Sequence, residues 1–586
     1  MQLVVTEKPS VAQAISHVIG AKERKDGYME GNGFLVSWCV GHLVELAQPE
    51  MYSEAWKKWS YESLPMIPEQ WQHEVKKETA TQYKILKNLM HDTRVESVVC
   101  ATDAGREGEL IFRLVYEQAG CRKPMKRLWI SSMEESAIRD GFENLKPGSD
   151  YDSLYQSALC RQQADWLVRL FTVLYGGKVL KVGRVQTPTL AMLVDREVKI
   201  MNFEKEQYYM AHILMDGIDA MTERIDDKAR AESIAAACES QSGVVRSVIK
   251  ENKSVAPPKL YDLTTLQRDA NRIFGFTAKQ TLEYTQSLYE KKLVTYPRTD
   301  SQYLSDDMEE TAKAVIGAVY QAILFEEQTG AEPDIKRVLN SKKVTDHHAI
   351  IPTIEITKTD LSAVPEGEMK ILSLVANRLL CATGKKQLYE TVKAEFSCGG
   401  YSFHVSGKTV LQNGWKEFEA ALKRTYRVEK TDEDKEEKKL PELSEGMTFP
   451  VIQTKVTEHF TQPPKHFTED SLLSAMERAG AEDMGDEVER KGLGTPATRA
   501  DIIEKLVKDG FVKREKKQML PTEDGMKLIT VLPDMVKSPK LTADWENTLT
   551  LVEKGEYTMQ EFMDGQYHPV AVYPLSGAWK NLERAV

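Results

Sequence analysis

The chain opens on a short apolar run, Leu3 to Val5, that stops at the charged pair Glu7-Lys8 and passes through Pro9 into a stretch with helical spacing. A buried strand followed by a helix with proline in its first turn predicts an α/β unit, and strand-end residues in such units are presented in a crevice. Glu7 and Lys8 therefore face a ligand, unless they form only a charged surface turn. Further runs, "FLVSWCVG" and "VESVVCAT", alternate with helical patterns to about residue 150 and predict a largely parallel sheet. From Asp152 to about Lys199 the pattern is helical, broken at Gly176-Gly177 and at "VGRVQTPT".

Apolar-polar alternation then predicts β structure over 206–255. After Pro257-Pro258 the pattern turns helical, with Leu263, Leu266, Ala270 and Ile273 on one face. Strands return in "YSFHVSGKTVLQNGW" and "MTFPVIQTKVTEHF", and a last helical region follows Pro463-Pro464. Between those two strand runs, "EKTDEDKEEKKLPELSEG" reads as an exposed mixed-charge loop. This order implies a chain that leaves two domains and later re-enters them. The expected divisions are 1–150 (α/β), 151–205 with 465–586 (helical), 206–255 with 389–464 (β-rich) and 256–388 (helical), a multidomain α/β and α+β protein.

Composition narrows the class without deciding it. The 586 residues exceed what one core supports, and 41% hydrophobic with 28% charged residues is ordinary for a soluble globular chain. No apolar run of about 18 residues and no signal-peptide layout is present, so a cytoplasmic protein is expected. The seven cysteines form no C-x-x-C pair, which predicts buried thiols rather than a disulfide framework or a zinc ribbon. A net charge of −11 does not exclude nucleic acid, because screening over about 10 Å lets a basic groove work inside an acidic protein. No G-x-x-x-x-G-K-[ST] loop supports an ATP-driven machine.

Two stretches carry the strongest chemistry. In "VVCATDAGREGELIF" a buried strand ends at Asp103, followed by two glycines, Arg106, Glu107 and Glu109. Carboxylates at strand ends suit Mg²⁺, and Glu7 completes the set if the two strands are neighbours. An acidic helix N-terminus would account for Glu107 or Glu109 but not for the rest. In "KKLVTYPRTDSQYL" Pro297 fixes a turn that places the Tyr296 phenol beside the Arg298 guanidinium. A tyrosine nucleophile needs nearby positive charge or a proton acceptor, and Arg298 supplies the charge and can clamp a phosphate. "VGRVQTPTL" offers Arg184, Gln186 and Thr187, and "TDHHAIIPT" two histidines, of which His348 reads as a packed residue. "KGLGTPATRADIIEKLVKDGFVKREKKQMLPTEDG" reads as a glycine turn, a capped helix bearing Thr498 and Arg499, and a basic hairpin, the outline of a winged helix that contacts a phosphate backbone.

From Leu3 to about Gly555 the motifs "EKPS", "TDAGREGE", "GRVQTPTL", "TYPRTDS", "DHHAIIPT" and "GLGTPATRADII" resemble, in order and spacing, the type IA DNA topoisomerases and among them the bacterial topoisomerase III group. The resemblance implies an N-terminal Toprim (Rossmann-like) domain and three further domains closed into a toroid. It implies that Tyr296 attacks single-stranded DNA and holds the 5′-phosphate, with Arg298 and Lys8 as cations, Glu7 as a proton-transfer group and His347 as the active-region histidine. Glu7, Asp103 and Glu107 would hold Mg²⁺, and Arg106, Arg161, Arg184, Gln186, Thr187, Thr498 and Arg499 would contact DNA. Implied partners are single-stranded DNA and negatively supercoiled or catenated duplex, with a helicase as a further candidate; a monomer and no membrane are expected. A Toprim nuclease or primase, or a catalytically silent single-strand-binding scaffold, are the alternatives, and the tyrosine motif discriminates against the first two.

One departure concerns the metal site. Many members carry D-x-D-x-E, whereas Gly105 stands at the second acid here. A missing ligand should weaken the site unless Glu7, Glu109 or DNA phosphate compensates. The zinc ribbons or basic tails of many members have no counterpart after Gly555, and 206–255 lacks the basic insertion linked to decatenation, so relaxation is the firmer expectation.

Overall fold

The computed structural model of the chain describes residues 1–57, 66–130, 133–168, 173–175, 178–180, 182–322, 324–325, 332–428, 439–483 and 492–572. Gly176-Gly177 and the 429–438 part of the mixed-charge run lie outside the described residues.

Among the described residues the first sheet has seven strands. Its centre is parallel: Gln2–Thr6 lies between Phe34–Trp38 and Ser97–Ala101, and the last of these pairs with Met125–Arg127. The edges are antiparallel, through the Glu23–Lys25 and Tyr28–Gly31 hairpin on one side and Lys146–Pro147 on the other. The sheet is thus mixed rather than uniformly parallel, its antiparallel strands confined to the rims. Leu3, Val4, Val5, Val98 and Val99 are wholly buried, because helices cover both faces of a parallel centre. Helix Pro9–Ile19, with proline in its first turn, follows the first strand, and helix Arg106–Gln118 follows the third. The parallel register sets Thr6 beside Ala101, so Glu7 and Asp103 emerge from the same edge of the sheet.

The second seven-stranded sheet draws strands from both sides of the central helical segment. Gln207–Met215, Ile218–Met221 and Ser242–Val255 interleave with Gln387–Cys398, Tyr401–Gln412, Thr448–Pro450 and Gln453–Phe460. One element within it was not expected from alternation: helix Lys228–Ala237, whose Asp227 cap accepts from the Arg230 amide at 2.9 Å. Likewise the stretch from Asp152 to about Lys199, expected to be helical, contains strands Val173–Tyr175 and Lys178–Leu180 between helices Asp152–Val168 and Gln186–Met201.

Apolar clusters separate these parts. One joins residues of 160–194 to residues of 467–563 and takes in Leu46, Met66 and Ala278, and another gathers 260–422 around helix Glu366–Thr383. The second cluster shares no residue with either apolar cluster of the first sheet. Helix Leu263–Phe274 buries Leu263, Leu266 and Ala270, while Ile273 is only half-buried. Helix Pro496–Lys508 is capped by Thr495 and followed by the hairpin Val512–Glu515 and Gln518–Pro521, with Phe467–Thr468 as third strand, the outline expected of a winged helix. All seven cysteines are buried free thiols. No helix among the described residues is long and apolar enough to cross a membrane.

Candidate active site

The tyrosine segment is fastened to the histidine segment before either meets the first sheet. Thr295 donates its amide to the Ile351 carbonyl at 2.9 Å, the Ile351 amide donates to Thr295 Oγ1 at 3.0 Å, and Thr299 Oγ1 donates to the His347 carbonyl at 2.8 Å. This lacing places the rings of Tyr296 and His347 4.5 Å apart. It joins two motifs that lie some fifty residues apart in the chain.

That unit closes on the strand ends of the first sheet. Lys8 Nζ lies 4.0 Å from the centre of the Tyr296 ring, donates to Asp103 Oδ2 at 2.7 Å and stands 3.1 Å from Glu7 Oε1. His347 Nε2 reaches the same Asp103 oxygen at 3.0 Å. Ser10 Oγ and Tyr289 Oη meet at 3.1 Å beside it, and Tyr289 packs edge-on against Tyr296. Among the described residues the two bodies share no apolar cluster here, and the contacts between them are hydrogen bonds, ion pairs and a cation over a ring, so parting them exposes little apolar surface.

Four groups here are pulled in different directions. Burial pushes the Asp103 carboxyl up, but His347 and Lys8 outweigh it and hold Asp103 well below the ordinary range. Burial, reinforced by the charge of Asp103, raises Glu7 despite Lys8. Burial also raises the Tyr296 phenol, with Lys8 drawing it partly back. Lys8 is disfavoured by burial yet raised overall by Asp103, Glu7 and Tyr296, and stays charged. Perturbed neighbours with opposed shifts are the arrangement from which acid-base roles are built.

The cluster lines a cavity of about 590 Å³ whose walls include Glu7, Asp103, Glu107, Arg161, Arg298 and Thr498. Arg298 is exposed there, and Arg161 is half-buried on helix Asp152–Val168. Thr498 belongs to the capping box at the N-terminus of helix Pro496–Lys508, an end with spare backbone N–H groups. His348, read from the sequence as a packed residue, donates from Nδ1 to the Ala349 carbonyl at 2.8 Å, and burial lowers its pKa.

The other residues expected to touch DNA sit differently. Arg106 and Arg184 are buried and converge on Glu546, at 3.0 Å to Oε2 and 3.3 Å to Oε1 respectively, and Arg184 also pairs with Asp165 at 2.8 Å. Arg499 is buried against the Leu493 carbonyl and Thr264 Oγ1, and Thr187 is buried while accepting from the Gly183 amide. Gln186 is buried in the first turn of its helix. None of these five side chains presents itself to solvent as a strand contact in this state.

For a divalent cation the donors are carboxylates on one rim: Glu7, Asp103 and Glu107. Glu107 is half-exposed and held by His42 Nε2 at 2.6 Å. Among the described residues no three such side chains converge on one point. A hard cation that needs one or two carboxylates, waters and a substrate phosphate suits this open set. Glu109 does not belong to it, contrary to its candidacy from sequence as a compensating ligand. It is buried with one oxygen 2.8 Å from Arg113 Nε and the other 3.0 Å from Arg127 Nε, a structural ion pair.

Three residues at these sites escaped sequence reading. His42 stands in "VGHL" just past a strand, a weak signal. Asp346 precedes His347 in "TDHHAIIPT", where the two histidines are the stronger signal. Glu546, mid-helix, carries no local signal at all.

Comparison with known proteins gives concordant matches. Residues 2–133 match the Toprim domain family and residues 149–564 the family described as DNA topoisomerase. The chain is 41% identical to DNA topoisomerase 3 of Bacillus licheniformis, over 96% of this chain and 79% of that protein. It is 39% identical to the protein of the same name from Bacillus subtilis, over 96% and 80%. The fold is shared with full-length topoisomerase I from Thermotoga maritima, at a TM-score of 0.71 and 24% identity, over 97% of this chain and 89% of that one.

Proposed function

The chain belongs to the type IA DNA topoisomerases, and on that premise we propose that Tyr296 is the residue through which it cuts and reseals a DNA strand. The observation that carries this reading is the position of the Tyr296 ring, with Lys8 Nζ 4.0 Å from its centre and the His347 ring at 4.5 Å, on the wall of a cavity that also holds Glu7, Asp103 and Arg298.

The Tyr296 oxygen attacks the phosphorus of a single-stranded segment; a bond from that oxygen to phosphorus forms as the bond to the 3′ oxygen breaks. The 5′-phosphate stays on the tyrosine and the 3′ oxygen leaves. The phenol gives its proton to solvent water, and Lys8 beside the ring lowers the cost of the phenolate. The leaving oxygen must gain one, and Glu7, raised by burial and by Asp103, is suited to deliver it. Arg298 and Arg161, both on the cavity wall, neutralise the attacked and flanking phosphates. His347 holds Asp103 and packs on the tyrosine, coupling the two bodies. Mg²⁺ held by Asp103, Glu107 and Glu7 would position the 3′-hydroxyl for resealing. Because a phosphodiester is exchanged for a phosphotyrosine, resealing needs no external fuel.

The proposed substrate is a single-stranded segment in negatively supercoiled or catenated duplex, opened by torsion or by a helicase, and the proposed place of action is the cytoplasm. For strand passage the tyrosine-bearing body parts from the first sheet at its polar junction. The deciding experiment is denaturing electrophoresis of protein mixed with a labelled oligonucleotide. The unaltered protein should carry label, and Tyr296→Phe should carry none while still binding the oligonucleotide. An adduct surviving in the Phe variant overturns the assignment.

A further inference from the structure

Gly105 is conspicuous because its backbone does not ask for glycine. At φ −167° and ψ 175° it is extended, a conformation any residue adopts. What a side chain there would meet is another side chain, which would have to move aside. A Cβ built on Gly105 would lie 2.6 Å from Asp346 Oδ1 and 3.0 Å from Asp346 Oδ2. Gly108, by contrast, is required by backbone, since a Cβ there would come within 2.1 Å of the Asp103 carbonyl where helix and strand end pack together. The carboxylate of Asp346 therefore occupies the place where an acid at position 105 would begin its own side chain.

Position 105 is the one at which the D-x-D-x-E pattern is broken. The carboxylate standing there arrives from the other body: Asp346 precedes His347, which binds Asp103, and Asp346 lines the same cavity as Glu7, Asp103 and Glu107. The other nearby acid, Glu109, has both oxygens committed to buried arginines.

We propose that Asp346 supplies the carboxylate that the strand-end pattern lacks, so that the divalent-cation site of this chain is completed across the junction by the tyrosine-bearing body. The proposal rests on the cation site of the preceding subsection. A ligand contributed from across a gate is present only when the gate is shut. Cation affinity is then higher in the closed form, and by linkage the cation favours closure. In a D-x-D-x-E chain all the carboxylates sit on one body, and no such coupling follows. The cation would here be a sensor of closure, engaged most tightly when the broken ends are aligned for resealing.

The test measures Mn²⁺ binding by electron paramagnetic resonance on the full chain with a bound single-stranded oligonucleotide, independent of turnover. Asp346→Asn is expected to weaken Mn²⁺ by about tenfold or more. Gly105→Asp combined with Asp346→Ala, which returns the acid to the strand end and removes the clash, should restore binding to within a few-fold of the unaltered protein. Circular dichroism melts establish that each variant is folded. Unchanged Mn²⁺ affinity in folded Asp346→Asn overturns the proposal, as does a double variant as weak as the single one. Failure of the unaltered protein to take up Mn²⁺ would instead strike the cation site itself.

Discussion

Two ion clusters, one buried and one half-buried, both built from residues far apart in the chain, resolve their charges in opposite ways. Around Glu546 one carboxylate faces Arg106 and Arg184 in direct contact, with Arg161 near enough to act on it, and three cations drive its carboxyl down to about 2 although burial pushes the other way. Around Tyr296 one lysine is shared by two carboxylates and an aromatic face, so Glu7 and the phenol are raised while Asp103 is lowered. The first cluster satisfies its carboxylate and ties helix Lys540–Glu553 to the Toprim domain and to the start of helix Gln186–Met201. The second leaves protons poised to move. Stability and chemistry make opposite demands on buried charge, and this molecule keeps them at separate places.

The largest expected effect tests the Glu546 side. Glu546→Ala leaves buried guanidinium groups without their anion and should cost about 3–5 kcal/mol in urea unfolding of the folded unit that contains it. A loss below 1 kcal/mol would mean that the cluster is not a structural tie. Next is acid. A carboxyl held at about 2 instead of the ordinary 4.5 contributes on the order of 3 kcal/mol at neutral pH. Because the folded value is the lower one, that stability is present above pH 4.5 and is lost as pH falls toward 2. The acid-unfolding curve of Glu546→Gln should be flatter than that of the unaltered protein across this window.

Lys8→Met should do the reverse of Glu546→Ala. Oligonucleotide cleavage is expected to fall about 100-fold as the cation beside the phenol and phosphate is lost, with unfolding little changed; a large stability loss with intact cleavage would invert the contrast. The smallest effect belongs to Thr495→Ala, which removes the cap of helix Pro496–Lys508 on the cavity wall. It should cost about 1 kcal/mol of stability, read by thermal melts, with a modest weakening of oligonucleotide binding.

Much of the candidate site was visible before folding. Glu7 and Asp103 each follow a run of buried strand residues, and Tyr296 sits in a proline turn beside an arginine, so local pattern alone marked them. The arginines misled in one respect: Arg106 and Arg184 lie in motifs rich in charge, yet they are buried against Glu546, some 440 and 362 residues away in sequence. The paired strands Val173–Tyr175 and Lys178–Leu180 and helix Lys228–Ala237 were missed because short elements between stronger signals have too few residues to show a period.

What the sequence determined by itself was therefore the order of elements, the acids and the tyrosine, and the absence of the second strand-end acid at Gly105. Strand burial, turn chemistry and motif spacing are short-range properties, written in neighbouring residues. Only the tertiary structure decided that Lys8 stands beside the Tyr296 ring, that Glu109 and Glu546 are bound by arginines, and that the Asp346 carboxylate fills the space beside Gly105. A charge acquires its role from whatever lies within a few ångströms of it, where Coulomb energy is large and water is excluded. Those neighbours are chosen by how separate bodies pack, which no stretch of adjacent residues records.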